Sequence, residues 1–231
     1  MMRSLRRFLF PLAALLALGS PAGAQVVVVD EGTFSLLKDS VRVGREDFSI
    51  RRAVAAEGGF VAQGHVLRGD GRSSVALSTD SAGQPLRFQL ERSVSGRVSE
   101  SLSGESRRGL WSGRTVRGGV ESGREFRLPT DVLAAATGVA HETWFLLRFG
   151  QRPGVRVLEP GTLTLQALRV EAAGADTVTI GFDAIPATRW LVRIGGTGSV
   201  NREAWIDAQG RLLRVRFPSD GVDALRDEPP R

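Results

Sequence analysis

Apolar and polar residues alternate with a period of two through much of this chain. In one such segment Leu86, Phe88 and Leu90 alternate with charged or amide side chains, and in another Val178, Ile180 and Phe182 form the apolar side. The pattern is clearest in residues 86–91, 177–182, 189–194 and 212–217. Such alternation places one side of a strand on a core and the other side in water. It predicts antiparallel β-structure, because a parallel α/β sheet would show continuous apolar strands separated by helices.

Turn-forming residues separate these segments at short intervals. They lie at residues 38–40, 58–59, 69–71, 81–83, 95–96, 103–104, 118–119, 174–176, 195–198 and 207–210. Glycine and aspartate allow the positive φ that tight hairpins require. The spacing predicts a meander of about ten strands in a curved antiparallel sheet or half-barrel.

One segment interrupts the strand pattern. Thr130 follows a proline and suits a helix N-cap, and three alanines with high helix propensity follow at residues 134–136. Trp144 and Leu147 continue a near-helical spacing from there. We predict one or two short helices over residues 130–149, lying across the sheet. No linker-like segment occurs, so residues 25–231 are predicted to form a single β domain.

The first 24 residues resemble a secretory leader. Three arginines precede an apolar stretch at residues 8–18, and a small-x-small motif ends at Ala24. The stretch is shorter than the about 20 residues that span a bilayer. We therefore predict a signal peptide over residues 1–24 that is cleaved after Ala24, a periplasmic or secreted protein, and no integral membrane segment after cleavage. Arg6 and Arg7 leave twin-arginine export open as an alternative.

The amino-acid composition excludes several classes of anchor, site and partner. The chain has no cysteine, which excludes a lipoprotein anchor, a catalytic thiol and cysteine-ligated metals. The net charge is +6, but leader removal lowers it to about +3, and no block of like charges occurs. Nucleic-acid binding needs a concentrated basic surface. We therefore predict no nucleic-acid partner.

Catalytic and metal motifs fail on spacing. His141 and Glu142 begin like a zinc-protease helix, but Phe145 occupies the place of the second histidine. The pattern instead predicts that His141 and Glu142 lie on the polar edge of an apolar helix. Residues 195–199 resemble a phosphate loop, yet a strand pattern follows where a helix is required. Paired acids suggest glycosidase chemistry only if they face one cleft, and the acids here are expected to be solvated turn residues. We predict a non-enzyme with no catalytic residue, metal or cofactor.

The aromatic residues are the candidate ligand site. Apolar ligands are held in apolar pockets that carry few polar groups. Trp144, Phe145 and Phe149 cluster on the predicted helical segment, where they could close one end of a β cavity. The full candidate set is Trp111, Trp144, Phe145, Phe149, Trp190 and Trp205. The alternative for each of them is packing in the core.

The C-terminal third carries a family resemblance. Residues 184–190 and 204–215, with a W-x-D-x-x-G-R-L-L hairpin that begins at Trp205, resemble uncharacterised exported bacterial β proteins. The early segments at residues 32–35 and 43–48 are consistent with that family. These proteins resemble in turn the lipoprotein-carrier type of half-barrel, a curved sheet with helices across its mouth. The resemblance implies that fold and an apolar-ligand cavity, and it implies no catalytic residues.

Two functions are consistent with these features. The first is an exported, non-catalytic envelope protein that binds a lipid or other apolar ligand in the concave face of the sheet. The second is a structural or protein-interaction module, with an envelope protein as partner and no small-molecule ligand. Small inward residues would leave a cavity for the first function, whereas large apolar residues would fill it. Both kinds occur, so the sequence leaves the two open.

Overall fold

The computed structural model describes residues 26–54, 58–196 and 198–231. The predicted signal peptide, residues 1–24, lies outside these residues. Within them, no helix combines the length and the apolar character needed to cross a bilayer.

The first eight strands are β1 Val26–Lys38, β2 Val41–Ala53, β3 Phe60–Arg68, β4 Gly71–Thr79, β5 Pro85–Val94, β6 Arg97–Arg107, β7 Leu110–Arg117 and β8 Val120–Arg127. The remaining elements are β9 Val132–Ala134, α1 Thr143–Phe149, β10 Arg156–Glu159, β11 Thr164–Ile180, β12 Asp183–Ile194, β13 Arg202–Ile206, β14 Leu212–Phe217 and β15 Val222–Arg226.

All fifteen strands belong to one open, curved sheet. Their order is β8-β7-β6-β5-β4-β3-β2-β1-β15-β14-β13-β12-β11-β10-β9, so nearly every strand pairs with its neighbour in the chain. The β9–β10 pair is parallel and the other pairs are antiparallel. The first and last strands pair with each other in the middle of the sheet, from Phe34 opposite Arg226 to Lys38 opposite Val222.

The predicted fold class is confirmed in its coarse form, a mainly β, curved antiparallel sheet, but two details were wrong. The sheet has fifteen strands rather than about ten. The helix covers only Thr143–Phe149, and the earlier part of the predicted helix, residues 130–149, contains β9 instead. Leu133 pairs with Val157 on β10, and Gly138 adopts a φ of 78°, which a helix does not accommodate. Tertiary pairing thus overrides the helix propensity of the alanines.

Two predicted turns lie inside strands. Gly104, expected in a turn, belongs to β6, where a Cβ would lie 2.1 Å from Cζ2 of Trp111. This glycine permits a close approach of an indole ring to the backbone. Gly174, also expected in a turn, forms a bulge in β11 at a φ of 107°. The bulge bends the strand without ending it.

The sheet curves around residues 128–163, which form the centre of the core. Leu133, Phe145 and Leu158 have no more than trace exposure. Widely separated strands contact the segment. Arg202 of β13 donates to the Ala136 carbonyl, and Arg124 of β8 donates to the Leu163 carbonyl. A smaller cluster on the opposite face of the sheet contains Val178, Ile180, Ala187, Trp205 and Leu213.

A buried ion pair joins the strands at the centre of the sheet. Nη1 of Arg226 on β15 lies 2.8 Å from Oδ1 of Asp30 on β1, and the two side chains are 5% and 1% exposed. Asp30 also accepts from the Leu212 amide, and Arg226 donates to the Leu212 carbonyl. The pair therefore connects β1, β14 and β15 through both charge and hydrogen bonds.

Candidate functional site

Three of the six predicted site residues meet in the concave face. Trp144, Phe145 and Phe149 extend from α1 and surround Phe60 of β3, with ring centroids 5.4, 6.2 and 5.6 Å from that ring. Trp144 and Phe145 are buried, and Phe149 is partly buried. Such aromatic pairs stabilise a core beyond the area they bury. In this conformation the rings contact one another, and they occupy the place in which a ligand was predicted.

The other three predicted site residues lie apart. Trp111 is buried against Gly104 of β6. Leu163 packs nearby, beside Gly113, which pairs with Gly104 across β6 and β7. Trp190 packs at the edge of the main core. Trp205 lies on the opposite face of the sheet, because its neighbour Ala204 points into the main core. The structure thus divides the predicted set instead of forming one site from it.

An open cavity of about 740 Å³ lies elsewhere, between β1, the end of β15 and residues 227–231. None of the predicted aromatic residues lines it. Its walls carry arginines and acids together, and Arg226 and Asp30 there already form the buried pair described above. A ligand would therefore meet a lining of mixed charge.

A buried polar cluster fastens the central segment to the sheet. Glu46 of β2 accepts three hydrogen bonds, from the Ala140 amide at 2.9 Å, the His141 amide at 2.8 Å and His141 Nδ1 at 2.7 Å. Arg202 of β13 donates to the Ala136 carbonyl at 2.9 Å, the Val139 carbonyl at 3.2 Å and Thr143 Oγ1 at 2.9 Å. Two sheet side chains therefore bind the backbone of residues 136–141 and the hydroxyl of Thr143.

Glu142 completes this cluster. Its Oε2 accepts from the Ala136 amide at 2.6 Å, and burial raises the pKa of its carboxyl to about 7. Its Oε1 and His141 Nε2 are buried without a hydrogen-bond partner within the described chain. His141 and Glu142 have no exposed surface. The prediction that they lie on the polar edge of a helix was wrong, because they precede α1 and are fully buried.

Glu46 and Arg202 were not predicted as site residues, although the sequence carried a signal for them. Glu46 shares the inward side of β2 with Phe48 and Ile50, and Arg202 shares the inward side of β13 with Ala204. A charged residue on the apolar side of an alternating strand is rarely buried unless it is paired. Interruption of the alternation by a charge was thus the available indication of a buried polar site.

A serine and a histidine lie together on the outer face. His65 Nδ1 is 3.2 Å from Ser74 Oγ, and Asp47 lies opposite His65 on β2. In a catalytic triad the acid orients the imidazole through its second nitrogen. Here the carboxylate of Asp47 accepts instead from Thr33 and Arg45. The arrangement does not provide a triad.

Within the described ranges, no group of three or more acidic, histidine or cysteine side chains is placed to hold a metal ion.

The β11–β12 hairpin extends beyond the strands next to it. Pairing with β10 ends at Ala167 and pairing with β13 ends at Thr188, so residues further out pair only within the hairpin. The tip is the two-residue turn Gly181–Phe182, in which Gly181 has a φ of 60°. Phe182 was predicted on the apolar side of a strand. It is instead the only largely exposed aromatic side chain in the described part of the chain.

The hairpin is held on the outer face of the sheet. Val178 and Ile180 are buried against Trp205 and Leu213, and Trp205 Nε1 donates to Asp176 Oδ2 at 2.7 Å. The indole of Trp205 also lies under Arg189, Arg214 and Arg216, with the nearest guanidinium carbon 4.8 Å from a ring centroid. These contacts fix the arm on which Phe182 is exposed.

Gly64 of β3 is the close neighbour of the polar cluster. A Cβ there would lie 2.3 Å from Cε1 of His141, whose ring is fixed by Glu46 and stacks on Phe48. We expect Gly64→Ala to lower the free energy of unfolding by about 1–3 kcal/mol through overpacking, as measured by urea denaturation. Gly123→Ala on the exposed edge strand is the control, because its Cβ would meet nothing closer than 3.5 Å. Equal effects of the two substitutions would contradict this explanation.

No protein-family model, no curated protein and no solved structure matches this chain. The resemblance to exported half-barrel proteins therefore stays a prediction from the sequence.

Proposed function

We propose that this protein is an exported, non-catalytic envelope protein that binds another protein through the tip of its β11–β12 hairpin. The observation that carries the proposal is the full exposure of Phe182 at the tip of an arm whose neighbouring residues Val178 and Ile180 are buried against Trp205 and Leu213. Aromatic side chains are enriched among the residues that dominate binding energy at interfaces. An arm that is ordered before binding loses little entropy when a partner engages it.

The charges of the hairpin indicate which kind of surface a partner should present to it. Residues 174–187 contain Asp176 and Asp183 and no basic residue. Membrane-surface anchors combine apolar residues with lysine and arginine, so an anionic lipid surface is a poor match for this tip. A protein pocket that receives the phenyl ring and carries basic groups at its rim is complementary to it.

Binding of a lipid in the concave face is the second candidate. The cluster of Phe60, Trp144, Phe145 and Phe149 favours it, since an apolar site would open between Phe60 on the sheet and the three rings of α1 if residues 128–163 moved away from the sheet. The same rings fill the concave face in the present conformation. Large inward residues are the feature that distinguishes an interaction module from a carrier, and for this reason we place docking first.

Photo-crosslinking tests the docking proposal. A photoreactive phenylalanine analogue replaces Phe182 in the producing cell, and the same analogue replaces Val120 as the control. Val120 is 72% exposed and begins the edge strand β8. We expect one discrete protein adduct from position 182 and none of that mass from position 120. With the crosslinked protein purified, Phe182→Ala should weaken its affinity about 30-fold or more, and Val120→Ala should leave it unchanged.

Protein purified from the producing cell also distinguishes docking of a protein partner from binding of a lipid. We expect native mass spectrometry of the mature protein from its own envelope to give the mass of the bare chain, with no lipid in an organic extract. A stoichiometric apolar adduct would support the lipid function. Docking would be contradicted if position 182 gave no adduct beyond that of position 120, or if Phe182→Ala bound the partner as tightly as the unaltered protein.

A further inference from the structure

We propose that Glu46, His141, Glu142 and Arg202 form a one-proton latch, which holds residues 128–163 inside the curved sheet and loosens them when the proton leaves. This device lies in the main core, whereas the docking hairpin lies on the opposite face. The proposal therefore stands independently of the proposed docking function.

The latch joins one segment to two distant strands. Glu46 lies on β2 and Arg202 on β13, and β1, β15 and β14 separate these strands in the sheet. Each makes three hydrogen bonds to residues 136–143. These six bonds are buried. Hydrogen bonds to charged groups are stronger in the protein interior than in water. Releasing the segment would require both sheet side chains to give up their partners.

The charges of the cluster balance only if it holds one extra proton. Arg202 offsets Glu46, which leaves Glu142 to be neutralised by a proton on its own carboxyl. Without that proton, two carboxylates and one guanidinium share a site whose side chains are at most 4% exposed. An unpaired charge in such a place is costly. The unpartnered atoms, Glu142 Oε1 and His141 Nε2, leave the extra negative charge without a donor.

The surrounding charged groups lie at the rim. Glu159 of β10 accepts from Thr137 Oγ1 at 3.2 Å and acts electrostatically on Arg202. Arg92 of β5 donates to the Thr137 carbonyl and pairs with Glu100 of β6 at 2.6 Å. Glu159 adds negative charge near the cluster, and Arg92, which shares the carboxylate of Glu100 with Arg117, is partly exposed and directed to the Thr137 carbonyl. Neither therefore replaces the proton.

The direction of the pH effect follows from Glu142. Desolvation raises its pKa from 4.5 to about 7 in the closed structure, against the opposing influence of His141, the Ala136 amide and Arg202. A released segment would return the carboxyl to an ordinary pKa. The closed form thus binds the proton more tightly, and its advantage is fully present below about pH 4.5 and lost as the pH rises through about 7. The ratio of open to closed forms should rise by about 100-fold over this interval.

Hydrogen exchange of the full mature chain tests the latch. Exchange in peptides from residues 128–163 is compared at about pH 5 and about pH 8, after correction for the intrinsic pH dependence of amide exchange, with peptides from β14–β15 as the internal reference. We expect the opening ratio of the segment to rise about 100-fold relative to the reference. Glu142→Gln keeps the shape and removes the charge, so it should lose this pH dependence. Glu121→Gln on the exposed edge strand should retain it.

Direct titration of the wild-type chain covers the case in which Glu142→Gln fails to fold. Carbon-13 NMR of the glutamate carboxyls should show one group that titrates well above the others and in step with the loss of protection. The latch is overturned if residues 128–163 keep the same protection at both pH values, or if the reference strands lose protection to the same extent. It is also overturned if a folded Glu142→Gln variant keeps the full pH dependence.

Discussion

Replacing Arg202 with methionine is expected to lower the free energy of unfolding by about 3–5 kcal/mol. Methionine keeps an apolar stem of similar reach, so the loss comes from the guanidinium. The carbonyls of Ala136 and Val139 would lose a buried donor, and Glu46 and Glu142 would lose the electrostatic stabilisation that the guanidinium gives them. Urea denaturation followed by tryptophan fluorescence measures the change.

Arg114→Met on β7 is the matched control for this substitution. Arg114 is also paired with a glutamate, Glu121, but both side chains are more than half exposed. Exposed ion pairs contribute about 1 kcal/mol or less. If Arg202→Met destabilised the protein no more than Arg114→Met, the buried cluster would not be what fastens the central segment.

Asp30→Ala is expected to cost about 3–5 kcal/mol, because it leaves the buried charge of Arg226 without its carboxylate. It also removes the acceptor for the Leu212 amide at the point where β1, β14 and β15 meet. The double variant Asp30→Ala with Arg226→Met should be more stable than Asp30→Ala alone, since no uncompensated charge remains. A double-mutant cycle in urea measures both quantities.

Glu121→Ala is the exposed comparison for the cycle, with an expected change of about 1 kcal/mol or less. The expectation for Asp30 fails if the double variant is less stable than Asp30→Ala alone. That result would mean that Arg226 stabilises the sheet mainly by its bonds to the Leu212 and Glu31 carbonyls.

Local patterns accounted for most of the strand architecture. Alternation placed Phe88 and Leu90 inward, and the turns at residues 69–71 and 118–119 lie between the strands they were predicted to separate. Both signals are decided by neighbours in the sequence, through one buried side of a strand and positive φ at a glycine. The number of strands was underestimated because the turns at residues 181–182 and 218–221 and the short strands β9 and β10 were not predicted.

The candidate site depended on contacts that the sequence does not display. Trp205 and Ala204 are adjacent in the chain yet belong to different clusters on opposite faces. Phe182 follows the alternation of Val178 and Ile180, but the turn starts at Gly181 and carries it into solvent. The choice between helix and strand at Leu133 was made by β10, which lies more than twenty positions further along the chain. Such outcomes require knowledge of which segments meet.

The pairing of β1 with β15 sets an order in which the sheet can be completed. β2 to β8 add by neighbouring hairpins, whose contacts are local and form quickly. One edge of β1 has no partner until β15 has been made, and the residues that pair, such as Ser35 and Leu225, are far apart in the chain. An unpaired strand edge of this length is a site for aggregation. Among the described strands, β15 is thus the last to be synthesised, and it covers the edge of β1 that has stayed open until then.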